Sequence, residues 1–251
     1  MRTLSILMML LSVVTTVYGA SPATDYDILA RKEKMFYDAR EWPGASAMLT
    51  LMIDERPQQS NLYGRAIVAQ SLMNDTVGAM SLLDKAMKNK VPFDSVFSNV
   101  KKESFELGRS DLYETFLVRV KQTHPWLVRA IDNYLLDYYC FRRDGAKMVE
   151  FSKMMLEGLP DNTFFLNILA EGYLLEGETE KAVLAFRQVL YFNPADYNAT
   201  LYLANYYYNR WQKTRSDNDH SNATKFLTRA NELKPTPFIN QRLKQIQKPI
   251  K

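Results

Sequence analysis

The chain has 251 residues, of which 47% are hydrophobic and 12% aromatic, and only nine are glycines. This composition supplies enough apolar surface for a packed core and favours helices over a turn-rich all-β fold. The net charge of +4 is small for this length. Lysines and arginines are interspersed with acids, so the stripe of cations that a nucleic-acid backbone requires is absent and nucleic acid is excluded as the expected partner.

Residues 1–20 have the pattern of a cleaved secretory signal peptide. Arg2 gives a positive start, an apolar run covers residues 4–14, and the small residues Val17, Gly19 and Ala20 lie near the expected cut before Ser21 or Ala20. An uncleaved anchor is the alternative, which the polar residues at the end of the run weaken. No cysteine follows the run, so the mature chain is not expected to be a lipoprotein. We expect a soluble, periplasmic protein with no stable membrane insertion.

Prolines recur at nearly even steps along the chain. The steps are 35, 35, 33, 35, 34 and 41 residues, between Pro22, Pro57, Pro92, Pro125, Pro160, Pro194 and Pro235. Proline has no amide hydrogen and disfavours a helical conformation in the residue before it, so it ends helices. A period near this length is typical of stacked helical hairpins. Such arrays act by binding partners, and we expect no enzyme.

The period divides residues 21–251 into one repeat domain. Six hairpins are predicted at approximately 24–57, 58–92, 93–125, 126–160, 161–194 and 195–235, with a capping helix at 236–248. In the first four hairpins the prediction depends on spacing and amphipathic period alone.

The fifth hairpin has the clearest pattern. Two apolar stripes flank a turn at Gly177, and small residues at Ala170 and Ala182 allow the two helices to approach closely. The pattern resembles the tetratricopeptide repeat (TPR) at Leu166, Leu169, Ala170, Tyr173, Ala182, Phe186 and Pro194. The resemblance implies an all-α superhelix, a solenoid whose concave face binds a protein or peptide. The style of the repeats resembles periplasmic members from the Bacteroidota.

The sixth hairpin repeats these residue types but is seven residues longer than a 34-residue unit. The polar stretch 209–222 is predicted to form an elongated turn on the edge of the stack.

The first helix of each hairpin is expected to line the concave face. One row has steps of 34, 34, 35, 34 and 34 residues and consists of Lys34, Val68, Lys102, Asp137, Glu171 and Asn205. The neighbouring turns add Asn133, Asn167 and Leu201 on one side and Phe141, Leu175 and Asn209 on the other. These residues are predicted to hold a partner protein or an extended peptide. The alternative is a row of polar side chains that only face water. Acids in the middle of the row replace the lysine and asparagine clamp with which some family members hold a terminal carboxylate.

Aromatic residues are densest at Tyr202, Tyr206, Tyr207, Tyr208 and Trp211. Most are expected to pack in the core, while Tyr208 and Trp211 are predicted to reach a partner. An alternative function follows from this cluster, namely binding of an extracytoplasmic glycan or small ligand.

No catalytic, metal-binding or cofactor site is expected. The only histidines, His124 and His220, are far apart in the sequence and are interpreted as solvated surface residues. Cys140 is the only cysteine, so no internal disulfide can form, and it is interpreted as a small buried hydrophobic residue. The run Asp217-Asn218-Asp219 lacks the later ligands of a calcium loop and is interpreted as a polar turn.

Short glycosylation patterns are ambiguous. Acceptor sequons begin at Asn74, Asn198 and Asn222, and two turn-like segments at 75–77 and 94–96 resemble the O-glycosylation sequence of Bacteroidota. Taken together, the sequence predicts a non-catalytic interaction scaffold in the cell envelope. Pairing between copies of the chain through the degenerate early hairpins is a further alternative.

Overall fold

The computed structural model describes residues 25–247. The described residues form thirteen α-helices and one short 3-10 helix, and no strand occurs among them, so the all-α prediction is confirmed. The helices are α1 (Asp25–Asp38), α2 (Trp42–Glu55), α3 (Ser60–Leu72), α4 (Thr76–Lys88), α5 (Phe93–Glu106), α6 (Ser110–Thr123), the 3-10 helix (Pro125–Leu127), α7 (Val128–Arg142), α8 (Gly145–Gly158), α9 (Thr163–Leu175), α10 (Thr179–Phe192), α11 (Tyr197–Thr214), α12 (Asp217–Leu233) and α13 (Pro237–Ile246). The predicted signal peptide lies outside the described residues.

Two compact units divide the chain. The N-terminal unit ends at Leu127 and contains α1 to α6, and the C-terminal unit begins at Val128 and contains α7 to α13. Each unit consists of three consecutive helical hairpins, with α13 added to the last. No helix within residues 25–247 combines the length and the apolar character that crossing a bilayer requires.

One residue with a positive φ angle lies in the turn of every hairpin. These residues are Arg40, Asn74, Gly108, Arg143, Gly177 and Arg215, so the steps between them are 34, 34, 35, 34 and 38 residues. A left-handed residue directly after a helix reverses the chain within a few residues. The hairpin period is therefore present in the backbone itself, including the four early hairpins in which the side-chain pattern is weak.

Backbone hydrogen bonds of one type close the first helix of five hairpins. In each, the amide of the residue that follows the positive-φ residue donates to a carbonyl five residues earlier, at 2.8–3.0 Å, and the pairs are Glu41 to Phe36, Asp75 to Gln70, Arg109 to Ser104, Asp144 to Tyr139 and Glu178 to Tyr173. This bond is part of the Schellman motif, which satisfies carbonyls that the end of a helix leaves unpaired. The same backbone hydrogen bond thus ends five of the six first helices.

The prolines follow the second helix of each hairpin, as the sequence predicts. Pro57, Pro125, Pro160, Pro194 and Pro235 each lie two residues beyond the end of a helix, and Pro92 lies four residues beyond one. The seventh, Pro22, is outside the described residues.

The extra residues of the sixth hairpin do not form the elongated turn that the sequence predicts. Instead α11 has 18 residues and α12 has 17, whereas α9 and α10 have 13 and 14. Trp211 and Asp219, both from the polar stretch, are buried. The Asp219 carboxylate accepts a hydrogen bond from Thr214 at 3.0 Å and lies 3.4 Å from Arg210. The insertion therefore lengthens both helices. The contacts of Asp219 with Thr214 and Arg210 give the buried carboxylate hydrogen-bonding and charged partners.

Helices α3 and α5 pack closely against each other in the N-terminal core. The largest fully buried side chains there include Tyr63, Phe97 and Tyr113. At Gly64 on α3, an added Cβ would lie 2.4 Å from Cβ of Asn99 and 2.9 Å from its carbonyl carbon on α5. Helices α3 and α5 therefore touch through a position that only glycine fits.

Helix α13 closes the C-terminal core. Thr236 caps its start by accepting a hydrogen bond from the Ile239 amide at 3.2 Å. Ile239 and Ile246 are buried in the same cluster as Leu203 of α11 and Leu227 of α12. This helix covers part of the last hairpin, which bears on the predicted binding row below.

A charged group is buried in the N-terminal unit. The Glu33 carboxylate is only 6% exposed and lies 2.9 Å from the Arg65 guanidinium. That guanidinium also lies over the Tyr37 ring, 4.1 Å from its centroid, and the Tyr37 hydroxyl donates to Glu103 at 3.2 Å. Burial raises the pKa of Glu33; Arg65 opposes the rise, and Glu103 and Asp38 add to it.

The substitution Gly64→Ala tests the close approach of α3 and α5. Since the new methyl group meets backbone atoms, we expect a loss of about 1–3 kcal/mol in the free energy of unfolding. Gly158→Ala is the matched control, because no atom lies within 4 Å of the added Cβ, and it should be neutral or slightly stabilising. Urea unfolding followed by circular dichroism measures both, and equal effects would contradict the proposed packing.

The pH dependence of stability tests the buried carboxylate. A raised pKa in the folded state means that folding favours protonated Glu33, so its contribution is full below the pKa of the unfolded chain and is lost as pH rises through the folded-state pKa. The free energy of unfolding of wild type minus that of Glu33→Gln should therefore fall as pH rises above the ordinary glutamate pKa of about 4.3. Urea unfolding below and above this pH measures it. The exposed Glu55→Gln provides the control; a difference that grows with pH would mean that Arg65 dominates.

Candidate partner-binding groove

A groove of about 550 Å³ runs along the first helices of the C-terminal unit. Asn133 and Asp137 on α7 face Asn167 and Glu171 on α9 across it, and Asn198 on α11 completes one end. Within each pair the spacing is four residues, which places both side chains on one face of a helix. The structure thus brings together four residues of the predicted row and its neighbouring turn.

The asparagine side chains are partly engaged within the protein. The Asn167 amide group donates to the Thr163 carbonyl at 3.0 Å and to the Asp196 carboxylate at 3.1 Å. The Asn133 amide group donates to the Arg129 carbonyl at 3.1 Å. These bonds use both amide hydrogens of Asn167 and one of Asn133, so Asn167 offers only its oxygen to a ligand and Asn133 offers its oxygen and one hydrogen. Together with the two carboxylates, these oxygens give the groove an excess of hydrogen-bond acceptors.

The pKa of the Cys140 thiol reflects the negative charge in the groove. It is half-buried and lines the groove between the two acids. Burial raises its pKa to about 11, and the charges of Glu171 and Asp137 contribute. Within residues 25–247, Glu171 forms no hydrogen bond or ion pair, so its charge is available to a ligand. The interpretation of Cys140 as a buried hydrophobic residue is wrong, because the residue is half-buried and lines the groove.

Apolar side chains flank the acidic centre. Phe164 lines the groove and is 65% exposed, and Phe141, next to Cys140 on α7, is 63% exposed. A second cavity of about 280 Å³ shares Cys140 and Glu171 with the groove and is lined further by Arg143, Met148, Leu174 and Leu175. The predicted Leu175 therefore belongs to the adjoining cavity. Sequence reasoning missed Phe164 and Cys140, although each is three residues from a predicted residue on the same helix face.

The N-terminal residues of the predicted row do not share this groove. Lys34 is exposed and pairs with Asp38 at 3.0 Å. Lys102 is exposed and lines a depression of about 450 Å³ that includes the Arg65 and Tyr37 side chains. Val68 is fully buried, so its predicted place on an open face is wrong. The reason is the close contact of α3 with α5, which covers that side of α3.

Helix α13 covers the last part of the predicted row. Leu201 packs against the core, Asn205 accepts a hydrogen bond from Arg242 at 2.5 Å, and the Tyr208 hydroxyl bonds Gln245 at 2.6 Å. Tyr208 and Trp211 are both buried. The prediction that these two aromatic residues reach a partner is therefore wrong, and the glycan hypothesis loses the surface on which it was based.

The other members of the aromatic cluster also contact protein groups. Tyr202 packs against Phe186 with a centroid distance of 4.5 Å. The Tyr206 hydroxyl donates to Glu180 at 2.6 Å and accepts from Arg210 at 2.7 Å. Tyr207 is buried and stacks on Phe226. The cluster thus packs α11 against α10 on one side and α12 on the other.

Neither histidine is a solvated surface residue, contrary to the sequence interpretation. His124 is buried, with Nε2 2.9 Å from Asp84 and Nδ1 2.7 Å from the Thr123 hydroxyl. His220 is half-buried, and its Nε2 lies 3.0 Å from the Ile246 carbonyl. The loop position suggested exposure, but neighbouring helices supply partners. Among the described residues, no group of three or more His, Cys, Asp or Glu could hold a metal ion.

Comparison with solved structures gives distant likenesses. No protein-family model and no curated protein matches this chain. The C-terminal part of a TPR repeat-containing protein from Cytophaga hutchinsonii is 14% identical, covers 81% of this chain and 78% of that chain, and has a TM-score of 0.47. A proposed protein-binding protein from Bacteroides ovatus is 16% identical over 75% of this chain and 96% of its own, also with a TM-score of 0.47. A tetratricopeptide repeat protein from Parabacteroides merdae is 13% identical over 95% and 90%, with a TM-score of 0.37. Such scores carry no functional argument.

The reactivity of Cys140 tests the electrostatics of the groove. With a pKa of about 11, only about one thiol in a thousand is ionised at pH 8, so alkylation should be roughly a hundredfold slower than for an ordinary cysteine. Replacing both acids, by Asp137→Asn with Glu171→Gln, should lower this pKa and speed the reaction. Iodoacetamide labelling followed by mass spectrometry measures the rate, and Glu157→Gln, an exposed acid on α8, is the control. Wild-type labelling as fast as that of a free cysteine would contradict the analysis.

Proposed function

We propose that this protein is a non-catalytic, tetratricopeptide-like interaction scaffold that binds an extended, cationic segment of a partner protein. The observation that carries the proposal is the groove between α7 and α9, where Asp137 and Glu171 lie among asparagine oxygens. Acceptors concentrated in a concave site favour ligands rich in donors, such as lysine, arginine and peptide N–H groups.

The apolar flanks support a peptide as the ligand. Exposed Phe141 and Phe164 and the side chain of Leu175 offer hydrophobic contacts beside the acids. An extended peptide places successive side chains on opposite sides, so basic residues could reach the carboxylates while neighbouring apolar residues cover the aromatic rings. Large exposed apolar side chains next to specific polar groups are typical of interaction sites.

We further propose that the protein works in the periplasm of a bacterium. The pattern of residues 1–20 supports export across the inner membrane. The resemblance of the fifth and sixth hairpins to the tetratricopeptide repeat and the turn period of about 34 residues support the assignment to that class of scaffold.

Binding of model peptides tests the proposed function. A fluorescent peptide in which lysine alternates with leucine, called here the cationic peptide, should bind the full chain more tightly than a neutral peptide with glutamine in place of lysine. The double variant Asp137→Asn and Glu171→Gln should weaken binding of the cationic peptide about fivefold or more, because each exposed ion pair contributes up to about 1 kcal/mol. Fluorescence anisotropy measures the affinity.

The control for this experiment is again Glu157→Gln, which removes an exposed negative charge outside the groove. If Glu157→Gln weakens binding as much as the double variant, the effect is due to net charge and the groove is not the site. Equal affinities for the cationic and neutral peptides would overturn the proposal for the cationic segment.

A further inference from the structure

A second cleft lies on other helices of the C-terminal unit. It has a volume of about 670 Å³ and runs between the second helices of the last two hairpins, α10 and α12. Arg187 and Tyr191 line it from α10, and Lys225, Phe226 and Arg229 line it from α12. None of these residues belongs to the predicted row or to the groove between α7 and α9.

The cleft is positively charged. Its described lining contains three cations and no acid. Arg187 donates to the Tyr207 hydroxyl at 2.5 Å, and neither Arg187 nor Lys225 forms an ion pair with a carboxylate in the described part of the chain. Arg229 pairs with Glu232 at 3.0 Å. Two cations therefore face the cleft with no internal counter-charge, an arrangement that favours an anionic ligand.

The walls of the cleft are apolar. Leu190, Pro194 and Phe226 contribute to them, and Tyr191 is 79% exposed at the rim. Phe226 is held in place by stacking on Tyr207, at a centroid distance of 5.8 Å and an interplanar angle of 11°. An exposed tyrosine beside a fixed aromatic ring provides a surface for apolar side chains of a ligand.

Neutral hydrogen-bonding groups are scarce in the cleft. The Thr200 hydroxyl donates to the Asp196 carbonyl at 2.7 Å, and the Asn222 amide donates to Asn218 at 2.9 Å. A sugar needs many such groups, and a nucleic acid needs a longer series of cations than the cleft offers. Two unpaired cations between apolar walls fit a ligand that combines carboxylates with apolar side chains.

We propose that this cleft binds an acidic peptide segment in which aspartate or glutamate alternates with aliphatic or aromatic residues. Lys225 and Arg187 hold the carboxylates, and Tyr191 and Phe226 receive the apolar side chains. The protein then carries two sites of opposite charge, the acidic groove on α7 and α9 and the basic cleft on α10 and α12, so it can engage two different partner segments.

The experiment uses the full chain and a fluorescent peptide in which glutamate alternates with leucine. This acidic peptide should bind more tightly than the neutral glutamine peptide, and binding should weaken as salt rises. Lys225→Gln should weaken it about threefold to fivefold, in line with the loss of one exposed ion pair. Tyr191→Ser should weaken it as well, while Lys213→Gln, which removes an exposed lysine outside the cleft, should have no effect.

Failure of this proposal is distinguishable from failure of the proposed function. The variant Asp137→Asn with Glu171→Gln should leave the affinity for the acidic peptide unchanged, and Lys225→Gln should not weaken binding of the cationic peptide. Circular dichroism checks that each variant is folded. Equal binding of the acidic and neutral peptides, or acidic-peptide binding that Lys225→Gln and Tyr191→Ser leave intact, would overturn the proposal.

Discussion

The reversal of the chain after each first helix is the constraint on which the rest of this structure depends. A hairpin of two helices cannot bury its apolar face alone, so it is stable only when neighbouring hairpins cover it. Neighbours can do so only if every hairpin turns in the same way. A left-handed residue in each of the six turns provides this regularity, and in five of them a Schellman-type bond accompanies it. Glycine occupies only two of the six positions, so arginine and asparagine adopt a conformation that is unfavourable for them.

Regular hairpins place side chains of different character on different helices. In the C-terminal unit, first helices carry the acids of the groove and second helices carry the cations of the cleft. Among the described residues, Glu171 in the groove and Arg187 and Lys225 in the cleft form no internal ion pair, so the like charges around them repel one another. The two proposed peptide ligands would neutralise this repulsion.

The sequence predicts the hairpins well because their signals are local. Proline ends a helix wherever it occurs, and residues four apart share a face, so Asn167 and Glu171 could be placed together without a structure. The errors have a different origin. Val68, Tyr208 and His124 are buried by helices that approach from elsewhere in the chain. Whether a helix face is open depends on those long-range contacts, which the spacing of residues along one helix does not contain.

The lengthened sixth hairpin shows how this architecture tolerates change. Helix α11 is five residues longer than α9 and α12 is three residues longer than α10, so each helix gains roughly one turn. The added residues lie at the turn end of the hairpin, since α9 and α11 each begin three residues after a proline and α10 and α12 each end two residues before one. Lengthening at the turn end extends the hairpin and adds new contacts, including the Arg210 and Asp219 pair. Hairpin length and hairpin stacking can thus vary independently.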